Sequence, residues 1–568
     1  MALPESKDTA APEQMALRPP SEVMRLSRLG AFHQTRLSFL RAMLRRVENE
    51  RWRFSRPRFE IDARGVGVAV YEVQAPRYTY SLVAFAHDLP AELRSDRVIA
   101  EAWDATFALF DGVPTDADIA RLSQNVPKQE AGRCAESELV LARANRSVRL
   151  FEDVVAALAA GLQPNAAALE ATGYLMRTTA VYGNGKFGLA DRARVAGRPE
   201  LGGAFRAEML AVWLIRAFTT DLVEHLARVR APDTAVRIDP ALRRRLGVGN
   251  ATGLGMAPYL VKHPALIDRW IVARETALAR VRARPSSDAG TRAAFGTVLE
   301  KARASLAGWV TADPVQGPRI ASLRDDLARL AAHVATGALS DPRPWDALYR
   351  WACENLSLEG QEYVVTLLLE PHGALIDDLA DTMHVDEAPE FAIAGRVTPR
   401  DLLTKIERQY DWALASDFSQ GPAQARFWYV SEEKLEPRLG TRQAEQVADR
   451  ELPLAIARDV KALAAALRTT DAASLAAFLL QHPQHRHVAR RVLSVDRHPY
   501  GEIRDNLIGG DIRPIDMLRC KLAFFGCTRF DPRSDLWLRI TMFQGAPFPD
   551  EPMPWADDWI YGAEGAQP

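Results

Sequence analysis

The sequence predicts a mainly α (α+β) fold: a large helical body with one small antiparallel sheet built from N-terminal and C-terminal strands. Three observations carry this expectation. Apolar residues recur at helical spacing through most of the middle of the chain. Segments that alternate apolar and polar residues lie near both ends. An isolated hairpin is marginal in water, so strands from the two ends are expected to pool into one sheet.

Residues 1–20 are polar and Pro-rich and read as a disordered tail. Residues 21–57 read as an N-terminal helical segment, with basic residues set between apolar ones. Residues 58–90 change character. RFEIDARGVGVAVYEV and YTYSLVAFA alternate, are rich in Val, Tyr and Phe, and predict a hairpin or meander. Residues 91–285 read as a helical region with glycine loops and 286–480 as a second helical region, the boundary falling near Pro285-Ser286-Ser287. Helices are expected over 95–110, 137–160, 165–180, 203–229, 259–283, 288–308, 319–336, 360–382, 399–415 and 443–467. Residues 481–560 form a loop-rich segment in which KLAFFGCTRF and DLWLRITMF read as strands joined by a turn at Asp531-Pro532-Arg533-Ser534, and 561–568 read as a tail.

With 568 residues, 48% of them hydrophobic, the chain can bury a large core, which excludes global disorder. Its 72 basic and 73 acidic side chains leave a net charge of −1, so no electrostatic footprint for nucleic acid or an anionic membrane is present. The best apolar stretch, Met209 to Phe218, is broken by Arg216, and no membrane span is expected. Cys134, Cys353, Cys520 and Cys527 match neither a CxxC pair nor a zinc knuckle and suit a reducing compartment. The polar start lacks the apolar stretch of a secretory leader, so the expected location is cytoplasmic.

Four segments carry groups suited to chemistry. The run from Asn125 to Arg149 is dense in amides, carboxylates and guanidinium groups. On a helix Asn145 and Arg149 would share a face able to orient an anion. In the second segment, Gly183-Asn184-Gly185-Lys186-Phe187-Gly188 resembles the GxGxFG phosphate loop of protein kinases. The preceding pattern is helical and no VAIK, HRD or DFG follows in order, so a kinase is excluded. What remains is a set of backbone N–H groups that can converge on an anion, with Lys186 as a point charge and Arg177, Thr178 and Tyr182 as further donors.

The third segment, Gly247 to Gly255, has four glycines ahead of Pro258. A dinucleotide fingerprint would need a preceding strand, and the residues before it read as helix. A glycine loop feeding a helix start still makes an anion site, with amides at Gly249 and Gly253 and donors from Asn250, Thr252, Lys262 and His263. The fourth, Asp377-Asp378-Leu379-Ala380-Asp381, resembles the DDxxD motif of all-α isoprenoid synthases. That resemblance implies Mg²⁺ held by Asp377 and Asp381 against a diphosphate. The polar stretch 496–506 adds His498, Tyr500, Glu502 and Arg504 as pocket candidates.

The functional expectation is a soluble enzyme acting on a small anionic metabolite, a carboxylate or a phosphate. Arg149, Arg177, Lys186, Gly249, Asn250, Thr252, Gly253 and Arg504 would bind it, and His263, His498 and Tyr182 would move protons. No cofactor, metal ligand or reaction type is specified. The alternatives are a non-catalytic helical scaffold or regulatory protein and a Mg-dependent isoprenoid-type enzyme.

Overall fold

A computed structural model of the chain describes residues 15–29, 34–93, 102–125, 135–183, 195, 197–253, 264–340, 342–384, 393–417, 427–431, 437–440, 451–454, 456–504, 516, 519–534, 537–557 and 559–561. Strands β1 (Arg53–Ile61), β2 (Gly67–Gln74), β3 (Thr79–Ala86), β4 (Ala105–Asp111), β5 (Glu138–Arg146) and β6 (Tyr174–Gly183) follow one another in sequence and in space, each antiparallel to the last. β7 (Gly247–Gly253) joins β6 in parallel. β8 (Phe427–Ser431), β9 (Pro437–Gly440) and β10 (Glu451–Leu454) make a separate three-stranded sheet. β11 (Arg529–Ser534) and β12 (Trp537–Met542) return to the first sheet, β12 pairing with β7, to complete nine strands in the order β1-β2-β3-β4-β5-β6-β7-β12-β11.

The expected small antiparallel sheet is therefore corrected to a nine-stranded, curled, mixed one. Strands from the two ends do lie in it, but four strands from the middle of the chain, β4 to β7, stand between them. Of the ranges expected as helices, 137–160 and 165–180 do hold helices at Phe151–Ala159 and Ala166–Thr172, but Glu138–Arg146, the stretch from Tyr174 and, in 95–110, the stretch from Ala105 are strands, for a physical reason. A strand covered on both faces loses its polar alternation and reads as an unbroken apolar run. β4 and β5 are covered in this way. The Asp116–Asn125 helix lays Ile119 and Leu122 against Val83, Phe85, Phe110 and Leu141 on one face.

The other face wraps a helix of 25 residues, Arg206–Arg230, with 19 of them buried. A helix apolar all round belongs inside a core rather than on a surface. It touches β3 through β7. Trp213 also meets Phe54 of β1 at 4.9 Å, and Phe218 meets Tyr71 of β2 at 6.5 Å, so the sheet curls about it. Arg216, which interrupts the apolar run in the sequence, is wholly buried. Its guanidinium donates to the carbonyls of Leu246 (2.6 Å) and Ala546 (2.7 Å) and lies over the Phe548 ring. Among the described residues no helix is long and apolar enough to cross a membrane.

Among the described strands the margins of the sheet are β1 and β11. Each carries a proline, Pro57 and Pro532, and each shows a shift of register, between Ser55 and Arg58 and between Pro532 and Ser534. The remaining helices pack beside the sheet, with Pro264–Arg282 touching Pro344–Asn355, Leu358–Leu369 and Arg486–Arg497. One apolar cluster runs from Val23 to Ile560 and joins sheet and helices.

Two buried ionic networks tie the ends of the chain to this body. In the first, Arg18 grips Glu275 (2.7 and 2.9 Å) and Glu362 (2.7 Å), and Arg28 adds a second guanidinium to Glu362 at 2.6 Å. In the second, Arg41 binds both oxygens of Glu370 at 2.7 Å, Arg36 binds Asp377, and Arg41 and Arg45 bind Asp557 at 3.2 and 2.9 Å. Burial pushes the Asp557 carboxyl up, but Arg41, Arg45 and Arg36 outweigh it and hold it at about 2. A carboxyl depressed from an ordinary value of about 3.9 stabilises the fold fully above that value. The contribution is lost as pH falls toward about 2. Asp557→Asn is therefore expected to be less stable than the parent at neutral pH, with the gap closing across that acid window. Urea midpoints measured against pH test this, and a gap that stays constant refutes it.

Candidate functional site

β6, the Arg206–Arg230 helix and β7 form a β-α-β crossover, and β6 and β7 are the one parallel pair among the described strands. Parallel neighbours require a crossover of this kind. The consequence is positional. The chain leaves β6 at Gly183 and β7 at Gly253 toward the same end of the sheet. The glycine-rich 183–188 segment and residues 254–263, which hold one glycine, therefore begin side by side. In open sheets, ligands gather beyond the carboxyl ends of parallel strands.

The register sets what shares a face along these strands, Arg177 standing six residues before Gly183 and Gly249 four before Gly253. Asn145, Arg177, Gly249 and Thr541 form one row across β5, β6, β7 and β12. Residues in a row share a face, as do residues two apart on one strand, so Arg539 shares the face of Arg177. Both guanidinium groups are buried, Arg177 at 1% and Arg539 at 5% exposure. The Tyr174 ring lies against Gly249, where a Cβ would fall 2.7 Å from the ring, and the Arg539 guanidinium stands 5.8 Å from that ring's centre. Thr541 Oγ1, buried in the same row, has no hydrogen-bond partner. Thr178 and Asn250, one position on, face the other way. Thr178 donates to the Gly249 carbonyl (3.2 Å) and accepts from the Asn250 amide (3.1 Å). The arrangement is a strip of buried arginine and hydroxyl side chains on one face of β6 and β12.

No protein-family model matches the chain, and no curated protein or solved structure is significantly similar to it.

The expected glycine loop over Gly249, Asn250, Thr252 and Gly253 is corrected: these residues are β7, and Thr252 and Gly253 pair with Leu538 and Trp537. The helix expected to open near Pro258 is described from Pro264. Gly247 and Gly249 serve close packing, since a Cβ on Gly247 would meet the Met542 carbonyl at 2.3 Å. Asn145 lies on a strand rather than a helix, so it does not share a helical face with Arg149. Arg149 is exposed after Ser147, which bonds Leu175 near the start of β6, away from Gly183. Tyr182 holds a position on β6 opposite Leu141. Lys186 and His263 lie outside the described residues.

His498 closes the end of the Arg486–Arg497 helix, with Nδ1 3.4 Å from Asp268 on the helix that follows β7. Burial raises the Asp268 carboxyl, against the Tyr500 N–H and His498, which lower it. Arg504 is tied to the helical body by its N–H to the Met24 carbonyl and a 3.4 Å contact with Asp411. These two residues therefore belong to the helical layer and not to the strip. Tyr174, Arg539 and Thr541 were missed in the sequence. Their signal was present, since Arg539 and Thr541 are the polar positions of an alternating strand.

The DDxxD segment is a 3₁₀ turn over Asp377–Met383, so its ends do not stack as on an α-helix. Asp377 accepts from Arg36 at 2.7 and 2.9 Å, Asp378 from Arg280 at 2.9 Å, and Asp381 pairs with Arg206. A divalent cation there would face five arginines, since Arg45 and Arg46 also stand 3.4 and 3.9 Å from Asp377 and Asp381. The likeness to isoprenoid synthases stops at the spelling. Among the described residues no group of three His, Cys, Asp or Glu side chains is placed to hold a metal ion.

Proposed function

We propose that the chain is an enzyme acting on a small anionic metabolite, a carboxylate or a phosphate, held beyond the carboxyl ends of β6 and β7. The observation that supports this reading is the parallel pairing, by which the glycine-rich 183–188 segment and residues 254–263 leave the sheet at one end. Glycine-rich backbone can turn several N–H groups toward an anion. Lys186 and His263 follow in those segments as a point charge and a proton carrier.

Thermal unfolding with inorganic phosphate, acetate and citrate tests the proposal. A saturating anion is expected to raise the midpoint by a few degrees, since a hundredfold excess over Kd stabilises by about 2.7 kcal/mol. Lys186→Ala should unfold at the parent temperature without anion and show a smaller rise with it. If no anion raises the midpoint, or if the variant responds as the parent does, the proposal fails and a non-catalytic scaffold is the remaining reading.

A further inference from the structure

The long helix that the sheet encloses, Arg206–Arg230, starts on a buried cation. Arg206 is 4% exposed, and its one ion pair is made by Nη2 to Asp381, a side chain 66% exposed on the Asp377–Met383 turn. Nη1 of the same guanidinium has no hydrogen-bond partner. Arg46 stands 3.9 Å from the Asp381 carboxylate, its Nε held by Glu50 at 2.8 Å. Burial holds the Arg206 pKa below its ordinary value, and Asp381 offsets that only in part. A desolvated guanidinium thus relies on a carboxylate that stands mostly in water.

The helix start adds donors. Phe205 at the N-cap supplies no side-chain acceptor, and the N–H groups of Arg206 and Ala207 meet no backbone carbonyl among the described residues. Such N–H groups and the aligned peptide dipoles favour an anion. Glu208, the acid of this first turn, already has a partner of its own. A Cβ on Gly203 would fall 2.7 Å from Arg206 Nε, so the guanidinium folds back over the chain that enters the helix. This is the end of the sheet at which β6 and β7 leave. Trp213 lies against Phe54 near the start of β1, level with the end of β6, and Leu226 reaches Gly65 at the other end of the strands.

We propose that the start of this helix binds a phosphate dianion in place of Asp381. A carboxylate brings one charge and two oxygens. Phosphate brings more of both, enough to serve Arg206, Arg46 and the helix N–H groups together. Asp381 can give way into water at little cost, because an ion pair with an exposed member is worth little. Until it does, it is a tethered competitor that lowers the apparent affinity. The site uses none of the residues assigned to the anion beyond β6 and β7 and stands apart from that reading.

Isothermal titration of the full chain with inorganic phosphate, and with acetate as the monoanion, tests the site. Phosphate is expected to bind more tightly than acetate. Asp381→Asn takes the charge off the competitor and is expected to tighten phosphate about fivefold, the worth of a half-exposed ion pair. Arg206→Gln is expected to weaken it about tenfold, the effect of one charged hydrogen bond. If Arg206→Gln does not fold, Asp381→Asn decides. The tightening by Asp381→Asn is expected to persist when Lys186→Ala is added, so this site and the one beyond β6 and β7 can fail separately. An unchanged phosphate affinity in Asp381→Asn, acetate binding as tight as phosphate, or no phosphate binding by either protein overturns the proposal.

Discussion

Replacing Glu362 by alanine is expected to destabilise the protein by about 3–5 kcal/mol, the range for breaking a buried ion pair from one side. The carboxylate is wholly buried and accepts from Arg18 at 2.7 Å and Arg28 at 2.6 Å, with Arg274 3.9 Å away. Burial alone would raise its pKa, but Arg18, Arg274 and Arg28 outweigh burial and hold it below the usual carboxylate range. Truncation would leave Arg18 and Arg274 sharing Glu275, and Arg28 with only the half-exposed Glu22 as an acidic partner. A buried cation without its counter-ion is the costly state, more so than the pair is favourable. Arg18 also anchors the first described segment, and its carbonyl accepts from the Tyr500 hydroxyl at 2.6 Å. The variant should therefore be cleaved sooner by protease near its N-terminus. A urea midpoint displaced by less than about 1 kcal/mol at unchanged slope would show that the network relaxes around the loss.

Gly247→Ala is expected to cost about 3 kcal/mol, the top of the ordinary range for overpacking. Its Cβ would lie 2.3 Å from the Met542 carbonyl and 2.9 Å from the Gln544 nitrogen. Both are backbone atoms of the neighbouring segment, so β7 and β12 would have to part. The three atoms nearest a Cβ on Gly249 all belong to the Tyr174 ring, at 2.7–2.8 Å, and a side chain can turn. About 1–2 kcal/mol is expected there. Urea unfolding of the two variants gives the order directly, and a larger loss at Gly249 would contradict it.

These two glycines also show where sequence reading stopped. Four glycines within nine residues read as a loop, because glycine is common in loops and carries no strand signal. Here glycine is demanded by neighbours in space, the Tyr174 ring and the Met542 carbonyl, and neither is near in sequence. The strands β1 to β3 alternate and were legible, as were β12 and the long helix that the sheet encloses. The Lys521–Gly526 segment, expected as a strand, is a π-helical turn, and β11 starts only at Arg529. β4 and β5 were hidden by cover on both faces. At the candidate site, Arg177 and Asn250 were picked from composition. That they face opposite ways depends on a one-residue offset that only pairing reveals.

The prolines at the two margins of the sheet bear on how the chain behaves among its own copies. An open sheet ends in rows of unpaired N–H and C=O groups, a template on which another chain can grow. Pro57 and Pro532 each remove one N–H from such a row, and the register shift beside each bends the strand out of line. Arg53, Arg56 and Arg58 set long charged side chains along the first margin, Arg56 paired with Asp221 and Arg58 with Glu60 and Asp116. A sheet of nine strands can thus stay open, neither closing into a barrel nor recruiting a tenth strand from a neighbour, and so is guarded against stacking into fibrils.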